Sequence, residues 1–276
     1  MKVQKKILLS LLTALWVCLC TFSSCFKEEE PLFTPVAAKD LTVILHAGGG
    51  ADGMRYMNAQ ETFLTYYNQG YRYFEYDLKL STDGRLIGSH AGEFLEHKMP
   101  EQLTYEEFKE LRLENGFTPV NEEWLMQTII QYPDVKIVVD AKMPDMEGDA
   151  AVLARIEQLE SVYNCDVSPN IIPEVFSKEM WDIVKETTTF DRYFFSHYKV
   201  YYSVGMILDY FDDDRIYGVA IPAECDSSFR SQIYRLKKNG KKIFVFTPTT
   251  TEGVLDAIAL GADGVYTDNP SIIPNE

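Results

Sequence analysis

The order of secondary-structure patterns in this chain predicts an α/β fold, the (β/α)8 or TIM barrel. Between about residue 41 and residue 276, eight short runs rich in β-branched and aromatic residues alternate with stretches of helical pattern. Strands that alternate with helices form a parallel sheet. Eight such units in roughly 235 residues suit this barrel, which usually has about 250 residues. A doubly wound open sheet is the alternative, but the glycines at 48–50 lack the spacing of a dinucleotide-binding turn.

The individual elements follow from local patterns. Helix 58–69 is expected to begin at Asn58, a preferred N-cap residue, and to end before Gly70. Asp83 and Gly84 form a turn that reverses the chain after the second strand. The predicted strands are 43–45, 71–81, 136–140, 170–176, 192–196, 216–221, 242–246 and 264–266, with a return segment at 85–89. The predicted helices are 58–69, 104–113, 121–132, 147–163, 178–187, 201–211, 227–239 and 250–260.

Ionisable side chains concentrate where the predicted strands end. Barrel enzymes build their active sites at the carboxyl ends of their parallel strands, so this placement predicts an active site there. Glu174 is an exception, because it falls within a predicted strand. The residues at or just beyond strand ends are His46, Glu75, Asp77, His90, Asp140, Lys142, His197 and Asp268.

Glu75 and Asp77 indicate a metal site. Alternate residues of a strand point to the same face, so the two carboxylates lie side by side while Phe74 and Tyr76 point the other way. Adjacent carboxylates repel each other and are costly to desolvate, and a hard divalent cation such as Mg²⁺ or Ca²⁺ relieves both effects. Two histidines within reach of such a cation are suited to acid–base chemistry on a phosphate ester. An exposed edge strand with solvated acids is the alternative.

The N-terminal residues predict export and lipidation. A basic start with three lysines precedes an apolar run at 7–22, which is the layout of a secretory signal. The Phe-Ser-Ser-Cys at 22–25 resembles the cleavage box of bacterial lipoproteins, in which Cys25 becomes the lipidated N-terminus. We expect a signal peptide at 1–24, a lipidated acidic tether at 25–40 and a barrel domain at 41–276, with an uncleaved anchor as the alternative. The acidic residues after Cys25 resemble the tag that sends lipoproteins of Bacteroidetes-type bacteria to the surface, so we expect an outer-membrane lipoprotein, exposed at the cell surface or otherwise facing the periplasm.

The acidic balance of the chain excludes several partners. The chain has 26 Lys and Arg against 42 Asp and Glu, a net charge of −16. Residues 1–24 contain three lysines and no acids, so their removal would lower the net charge to −19. So acidic a chain, with no basic cluster, is poorly suited to nucleic acid or to an anionic membrane surface. The expected membrane contact is therefore the lipid at Cys25, and no obligate protein partner is evident.

Two further cysteines, Cys165 and Cys225, remain in the predicted barrel domain. We expect two unpaired, partly buried thiols, with a disulfide outside the cytoplasm as the alternative. His97 is expected at the surface, and His197 is expected to be structural. The aromatic residues Phe94, Tyr198, Tyr201 and Tyr202 are candidates for a platform under a sugar or glycerol group.

Six motifs occur in order along the predicted barrel. They are His46-Ala-Gly48, Asn58-Ala-Gln-Glu61-Thr62, Phe74-Glu-Tyr-Asp77, Ser81-Thr-Asp-Gly84, His90 and Gly261-Ala-Asp-Gly264-Val-Tyr-Thr-Asp268-Asn-Pro270. Their order and spacing resemble the glycerophosphodiester phosphodiesterase family, in its His-Ala-Gly-Gly subgroup. The resemblance implies a (β/α)8 barrel of the type found in phosphatidylinositol-specific phospholipases C. It also implies one divalent cation, Mg²⁺ or Ca²⁺, and hydrolysis of a small phosphodiester to glycerol 3-phosphate and an alcohol.

The resemblance also implies roles for individual residues. One of two histidines would act as general base and the other as general acid. The implied roles are catalytic for His46 and His90, metal-binding for Glu75, Asp77 and Asp140, and substrate-binding for Lys142 and Glu61.

Three departures from the family pattern leave other functions open. Ala47 stands where the family usually has a phosphate-binding Arg, Ala91 replaces an Asp, and residues 247–249 lack the Asn of a Thr-x-Asn element. They motivate an alternative, a surface lipoprotein that binds a phosphorylated or sugar ligand without turnover. A related lyase or phospholipase acting on an intact lipid is the third possibility.

Overall fold

The computed structural model describes residues 34–90, 99–113, 115–200, 202–224 and 230–274. Nine strands lie in one sheet. They are β1 (Thr42–Leu45), β2 (Tyr73–Leu80), β3 (Leu86–Gly88), β4 (Lys136–Ala141), β5 (Ile171–Val175), β6 (Tyr193–Ser196), β7 (Ile216–Pro222), β8 (Lys242–Phe246) and β9 (Gly264–Thr267).

Eight of these strands close into a parallel barrel. The ring runs β1-β2-β4-β5-β6-β7-β8-β9, and β9 pairs with β1 to close it. β3 is antiparallel to β2 and extends the sheet outside the ring. In the β2–β4 pairing, Asp77 lies directly beside Asp140. The predicted (β/α)8 barrel is confirmed.

The helices follow the predicted alternation. They are α1 (Gln60–Asn68), α2 (Tyr105–Lys109), α3 (Glu122–Gln131), α4 (Met146–Tyr163), α5 (Lys178–Thr187), α6 (Val204–Tyr210), α7 (Arg230–Lys238) and α8 (Thr251–Leu260). The largest difference is in α2, which ends four residues before the predicted position. Among the described helices, none is long and apolar enough to cross a membrane.

Side-chain caps fix the start of several helices. Asn121 accepts a hydrogen bond from the Trp124 amide at the start of α3, and Thr104 forms a capping box with Glu107 at α2. The predicted cap of α1 was wrong. Asn58 lies one residue before the cap position with a left-handed φ of 46°, and its side chain bonds to β2 instead.

A layer of buried side chains fills the barrel. It contains one residue from each of seven strands: Ile44, Val138, Ile172, Phe194, Ala220, Phe244 and Tyr266. Alternate residues of a strand share a face, so the residue two positions later also points inward, one layer nearer the carboxyl end. The residues at those positions include His46, Asp140, Glu174, Ser196, Phe246 and Asp268. The two-residue period of the strands thus places the apolar core in the middle of the barrel and the ionisable residues one layer nearer its carboxyl end.

Candidate active site

A cavity of about 200 Å³ opens at the carboxyl ends of the barrel strands. One half of its lining comes from β1, β2, β4 and the segments that follow them, and we call it the acid–base half: His46, Glu75, His90, Asp140 and Lys142. The other half comes from β5, β6, β8, β9 and adjoining residues, and we call it the aromatic half: Glu174, Ser196, Tyr198, Phe246, Thr247 and Tyr266. Tyr56, in the loop after β1, completes the lining.

Glu75, Asp77 and Asp140 form a buried cluster of carboxylates. One oxygen from each lies within 4.8 Å of the others, and the three side chains are almost completely buried. Glu75 Oε1 and Asp140 Oδ1 have no hydrogen-bond partner among the described residues. Buried oxygens without partners are costly unless a cation neutralises them. Hard carboxylate oxygens at this spacing suit a divalent cation, so the three residues fit the metal site expected from the sequence.

Neighbouring groups hold these carboxylates in place. The Ala47 amide donates to Glu75 Oε2 at 2.7 Å. The Asn58 side chain makes two hydrogen bonds to residue 77, donating to Asp77 Oδ2 at 2.9 Å and accepting from the Asp77 amide at 2.9 Å. These contacts occupy one oxygen of Glu75 and one of Asp77. They orient each carboxylate toward the centre of the cluster.

Burial and neighbouring negative charge make Glu75 and Asp140 reluctant to ionise. Burial, followed by the charge of Asp77, raises the pKa of Glu75 well above its ordinary value. Burial also raises the pKa of Asp140, to about 8, with further contributions from Glu174 and Asp77 and with Lys142 opposing. A divalent cation would reverse both shifts, because it favours the ionised carboxylates.

His46 is fixed by a hydrogen bond between its Nδ1 and Asp268 Oδ1, at 3.0 Å. Its Nε2 lies 3.9 Å from Glu75 Oε2. Burial opposes protonation, but the Asp268 bond and the charge of Glu75 outweigh it and raise the pKa of His46 to about 9. The sequence placed Asp268 at a strand end without giving it a role. Its contact with His46 follows from the pairing of β9 with β1, which brings the two strand ends together.

The second predicted histidine, His90, lies across an aromatic ring from the first. The Tyr56 ring contacts both imidazoles, with centroid distances of 4.9 Å to His46 and 4.9 Å to His90. Burial lowers the pKa of His90, and the positive charges of Lys142 and His46 add to this effect, while Asp77 opposes it. The two histidines therefore have pKa values shifted in opposite directions.

Lys142 provides a fixed positive charge beside the cluster. Its Nζ bonds to Asp140, lies 3.3 Å from Asp77 Oδ1 and donates to the Tyr198 hydroxyl at 3.1 Å. Burial alone would lower the pKa of Lys142, but Asp140 and Asp77 raise it, so the ammonium stays charged. The position suits the substrate-binding role expected for it, because a phosphate in the cavity would meet this charge.

The remaining predicted residues lie elsewhere or outside the described chain. Glu61 is exposed, is not in the cavity lining, and accepts a hydrogen bond from the Thr118 amide at 3.0 Å. Its substrate-binding role therefore stays a prediction. His197 is buried and accepts a hydrogen bond from the Tyr202 amide at 2.7 Å, as expected for a structural residue. Cys25, Ala91, Phe94, His97, Tyr201 and Cys225 lie outside the described residues. Cys165 forms no disulfide within the described part of the chain.

The aromatic half was largely missed by the sequence analysis. Glu174, the fourth residue of β5, accepts a hydrogen bond from the Tyr266 hydroxyl at 2.5 Å, and Ser196 lines the same cavity. Tyr198 and Phe246 meet edge to face, with ring centroids 6.2 Å apart. The signal that could have found Glu174 and Ser196 was their position two residues after a core side chain on the same strand.

Comparison with known proteins identifies the family. A family model described as "Glycerophosphoryl diester phosphodiesterase family" matches residues 46–272. A search of curated proteins gave no match.

Several solved structures share the fold. A protein from Galdieria sulphuraria, provisionally assigned as a glycerophosphodiester phosphodiesterase, is 16% identical with a TM-score of 0.73, over 87% of this chain and 98% of that one. A phosphodiesterase from Oleispira antarctica, solved with the product sn-glycerol-3-phosphate, is 19% identical with a TM-score of 0.69, over 84% and 94%. A glycerophosphodiester phosphodiesterase from Parabacteroides distasonis is 18% identical with a TM-score of 0.67, over 84% and 94%.

The family model spans most of the barrel, from the first predicted catalytic histidine to the residues just after β9. The chain therefore belongs to the glycerophosphoryl diester phosphodiesterase family and is a phosphoric diester hydrolase.

Proposed function

We propose that this protein hydrolyses a glycerophosphodiester to glycerol 3-phosphate and an alcohol, with one divalent cation and the pair His46 and His90. The observation that carries the proposal is the buried cluster of Glu75, Asp77 and Asp140 beside His46 in one cavity. Two oxygens of this cluster have no hydrogen-bond partner among the described residues, and both histidines line the same cavity.

The cation, Mg²⁺ or Ca²⁺, would be held by Glu75, Asp77 and Asp140. When bound it would polarise a phosphoryl oxygen and lower the pKa of a neighbouring water or alcohol. The Ala47 amide and the Asn58 side chain orient two of its three ligands. Oriented ligands bind more tightly, because less ordering is needed on binding.

The two histidines would move protons on opposite sides of the phosphorus. One imidazole takes the proton of the nucleophile, a water or the 2-hydroxyl of the substrate, as its oxygen bonds to phosphorus. The other imidazolium gives a proton to the alcohol oxygen as its bond to phosphorus breaks. If the 2-hydroxyl is the nucleophile, the first product would be a cyclic glycerol phosphate, and a water would then bond to phosphorus while the ring oxygen leaves with a proton, which gives glycerol 3-phosphate. Asp268 holds the His46 ring in one orientation, and Lys142 offsets the negative charge that develops on the phosphoryl oxygens.

The cellular role rests on the sequence alone. A signal peptide at 1–24 and lipidation of Cys25 would anchor the enzyme at the outer membrane, with the barrel on a short acidic tether. There it would release glycerol phosphate or an alcohol from the head groups of degraded phospholipids. Metabolic labelling with a fatty acid, compared between the natural chain and Cys25→Ala, tests the anchor. Equal labelling of both chains would contradict it.

The test of the activity is hydrolysis of three diesters by purified protein. Glycerophosphocholine, glycerophosphoethanolamine and glycerophosphoinositol are each supplied with Mg²⁺, Ca²⁺ or EDTA, and glycerol phosphate is measured. We expect metal-dependent release that His46→Ala abolishes and that the exposed control Glu252→Gln leaves unchanged. Folded protein that binds a divalent cation but turns over none of the three would support the alternative, a lipoprotein that only binds its ligand.

A further inference from the structure

We propose that the aromatic half of the cavity is a subsite for a cationic alcohol, with Glu174 as its counter-ion, so that the enzyme selects diesters of choline- or ethanolamine-like alcohols. This inference rests on the proposed function and names the class of substrate. The inference requires that, when the phosphate of the substrate lies in the acid–base half of the cavity, the alcohol group attached to it contacts the aromatic half.

Glu174 is a carboxylate that the proposed chemistry does not use. It lies outside the cluster of Glu75, Asp77 and Asp140, yet it lines the same cavity and is almost completely buried. The Tyr266 hydroxyl on β9 donates a hydrogen bond that holds the Glu174 carboxylate in place. Burial raises the pKa of Glu174, while the Tyr266 hydroxyl and the charges of Lys142 and His46 oppose the rise. A cationic ligand group beside Glu174 would favour the ionised carboxylate further.

The charge of the cavity favours a cation over a neutral polyol. Its described lining carries three carboxylates, Glu75, Asp140 and Glu174, against Lys142 and His46, whose pKa of about 9 keeps its ring protonated near neutral pH. Asp77 and Asp268 add two more carboxylates in direct contact with lining residues. A single divalent cation therefore leaves this region without excess positive charge. A polyol could accept or donate hydrogen bonds at Glu174, but it would leave the negative charge uncompensated.

The aromatic side chains supply the second feature that a quaternary ammonium requires. Tyr198 and Phe246 meet edge to face and line the same cavity as Glu174. The Tyr198 ring already attracts one cation, because Lys142 Nζ lies 5.1 Å from its centroid. Aromatic rings combined with an acid are a recurrent way of binding methylated ammonium groups.

The kinetic test compares glycerophosphodiesters whose alcohol is cationic with glycerophosphodiesters whose alcohol is neutral. The kcat/KM of wild-type protein for glycerophosphocholine and glycerophosphoethanolamine is expected to exceed that for glycerophosphoglycerol and glycerophosphoinositol about tenfold. Glu174→Gln keeps the shape and removes the charge. It should abolish most of this preference, because kcat/KM for the choline and ethanolamine diesters should fall much further than kcat/KM for glycerophosphoglycerol. Phe246→Leu should reduce the preference in part, and the exposed Glu252→Gln should leave it intact.

A binding test separates this inference from the proposed function. Choline chloride and glycerol are titrated into wild-type protein and Glu174→Gln by calorimetry, with and without Mg²⁺. We expect choline to bind wild-type protein and to lose about tenfold in affinity in the variant, while Mg²⁺ still binds to the variant.

The outcomes are distinguishable. Absence of turnover for every diester would defeat the proposed function, whereas choline binding that depends on Glu174 would still support the subsite. A preference for choline esters that survives Glu174→Gln would overturn the inference. Binding of glycerol in place of choline would overturn it as well. If Glu174→Gln does not fold, Phe246→Leu and the choline titration of wild-type protein decide in the same way.

Discussion

The two halves of the cavity are built differently. In the acid–base half, ionisable side chains are tied to one another or to the backbone, as in the contacts of Asp268 with His46 and of Asn58 with Asp77. In the aromatic half, rings and hydroxyls surround a single acid, Glu174. The first arrangement fixes the position of charge, which a proton-transferring site requires. The second provides shape and one charge, which is sufficient to select a ligand. The difference suggests that chemistry and selectivity can be altered separately in this molecule.

Replacing His46 by Ala gives the largest expected effect. It removes one of the two proton-transferring groups, and kcat for every diester should fall by about 10²- to 10⁴-fold. The affinity for the divalent cation, measured by calorimetry, should change little, because His46 is not a predicted ligand. If Glu174→Gln lowered the turnover of all diesters equally, the division between the two halves would be wrong.

Replacing Asn58 by Ala should lower the affinity of the site for a divalent cation, although Asn58 is not one of its proposed ligands. The variant loses both hydrogen bonds that position Asp77, and loss of such supporting bonds typically costs about 10- to 100-fold in metal affinity or activity. The measurement is a calorimetric titration with Mg²⁺ and Ca²⁺. Asn121→Ala is a matched control, since it removes another buried Asn that caps a helix away from the cavity. Equal losses in both variants would indicate a general loss of stability instead.

Tyr56 tests whether spacing of the two histidines matters. Tyr56→Leu removes the ring between them and should lower kcat about tenfold and shift the pH profile of kcat/KM, since small displacements of reacting groups are costly. Tyr56→Phe keeps the ring and should restore both values. A Leu variant with the wild-type pH profile would contradict a positioning role for Tyr56.

Substitution of Glu122, which lies outside both halves of the cavity, should change the stability of the fold and leave the catalytic activity unchanged. Burial alone would raise the pKa of Glu122, but hydrogen bonds from Arg155, the Leu86 amide and Arg85 lower it below its ordinary value of 4.5. The ionised carboxylate therefore stabilises the fold above pH 4.5, and that contribution is lost as the pH falls through the lowered pKa. Glu122→Gln should lower the free energy of unfolding by about 1–3 kcal/mol at pH 7. The difference from wild-type protein should shrink below pH 4.5 in urea titrations, while kcat stays unchanged.

The sequence predicted the structure best where a regular repeat, of whole elements or of side chains along a strand, determines it. The alternation of strands and helices predicted the barrel, and the period of two within β2 placed Glu75 and Asp77 on one face. Because the carboxyl ends of the parallel strands lie at the same end of the barrel, Asp140 and His46 were predicted to lie there as well. These are properties of regular elements, so they can be read from spacing alone.

The parts that escaped prediction depend on irregular backbone. Tyr56 and Asn58 reach the site because both adopt a left-handed φ, of 53° and 46°, in the loop after β1. Such conformations depend on tertiary contacts, and the preference of Asn for helix caps pointed to the wrong role. Glu174 was assigned to the middle of a strand. Its place two residues after Ile172, a core residue of the same strand, already implied that its side chain points into the barrel.

The pairing of β2 with β4 has a thermodynamic consequence. Asp77 and Asp140 are lateral neighbours in that pairing, so the proposed cation would join two strands whose alignment exists only in the folded chain. A ligand that binds only the folded state stabilises it by mass action, by about 2.7 kcal/mol at one hundred times its dissociation constant. The melting temperature of this protein would then rise with the concentration of free Mg²⁺ or Ca²⁺. The stability of the barrel would then depend on the divalent-ion content of its surroundings.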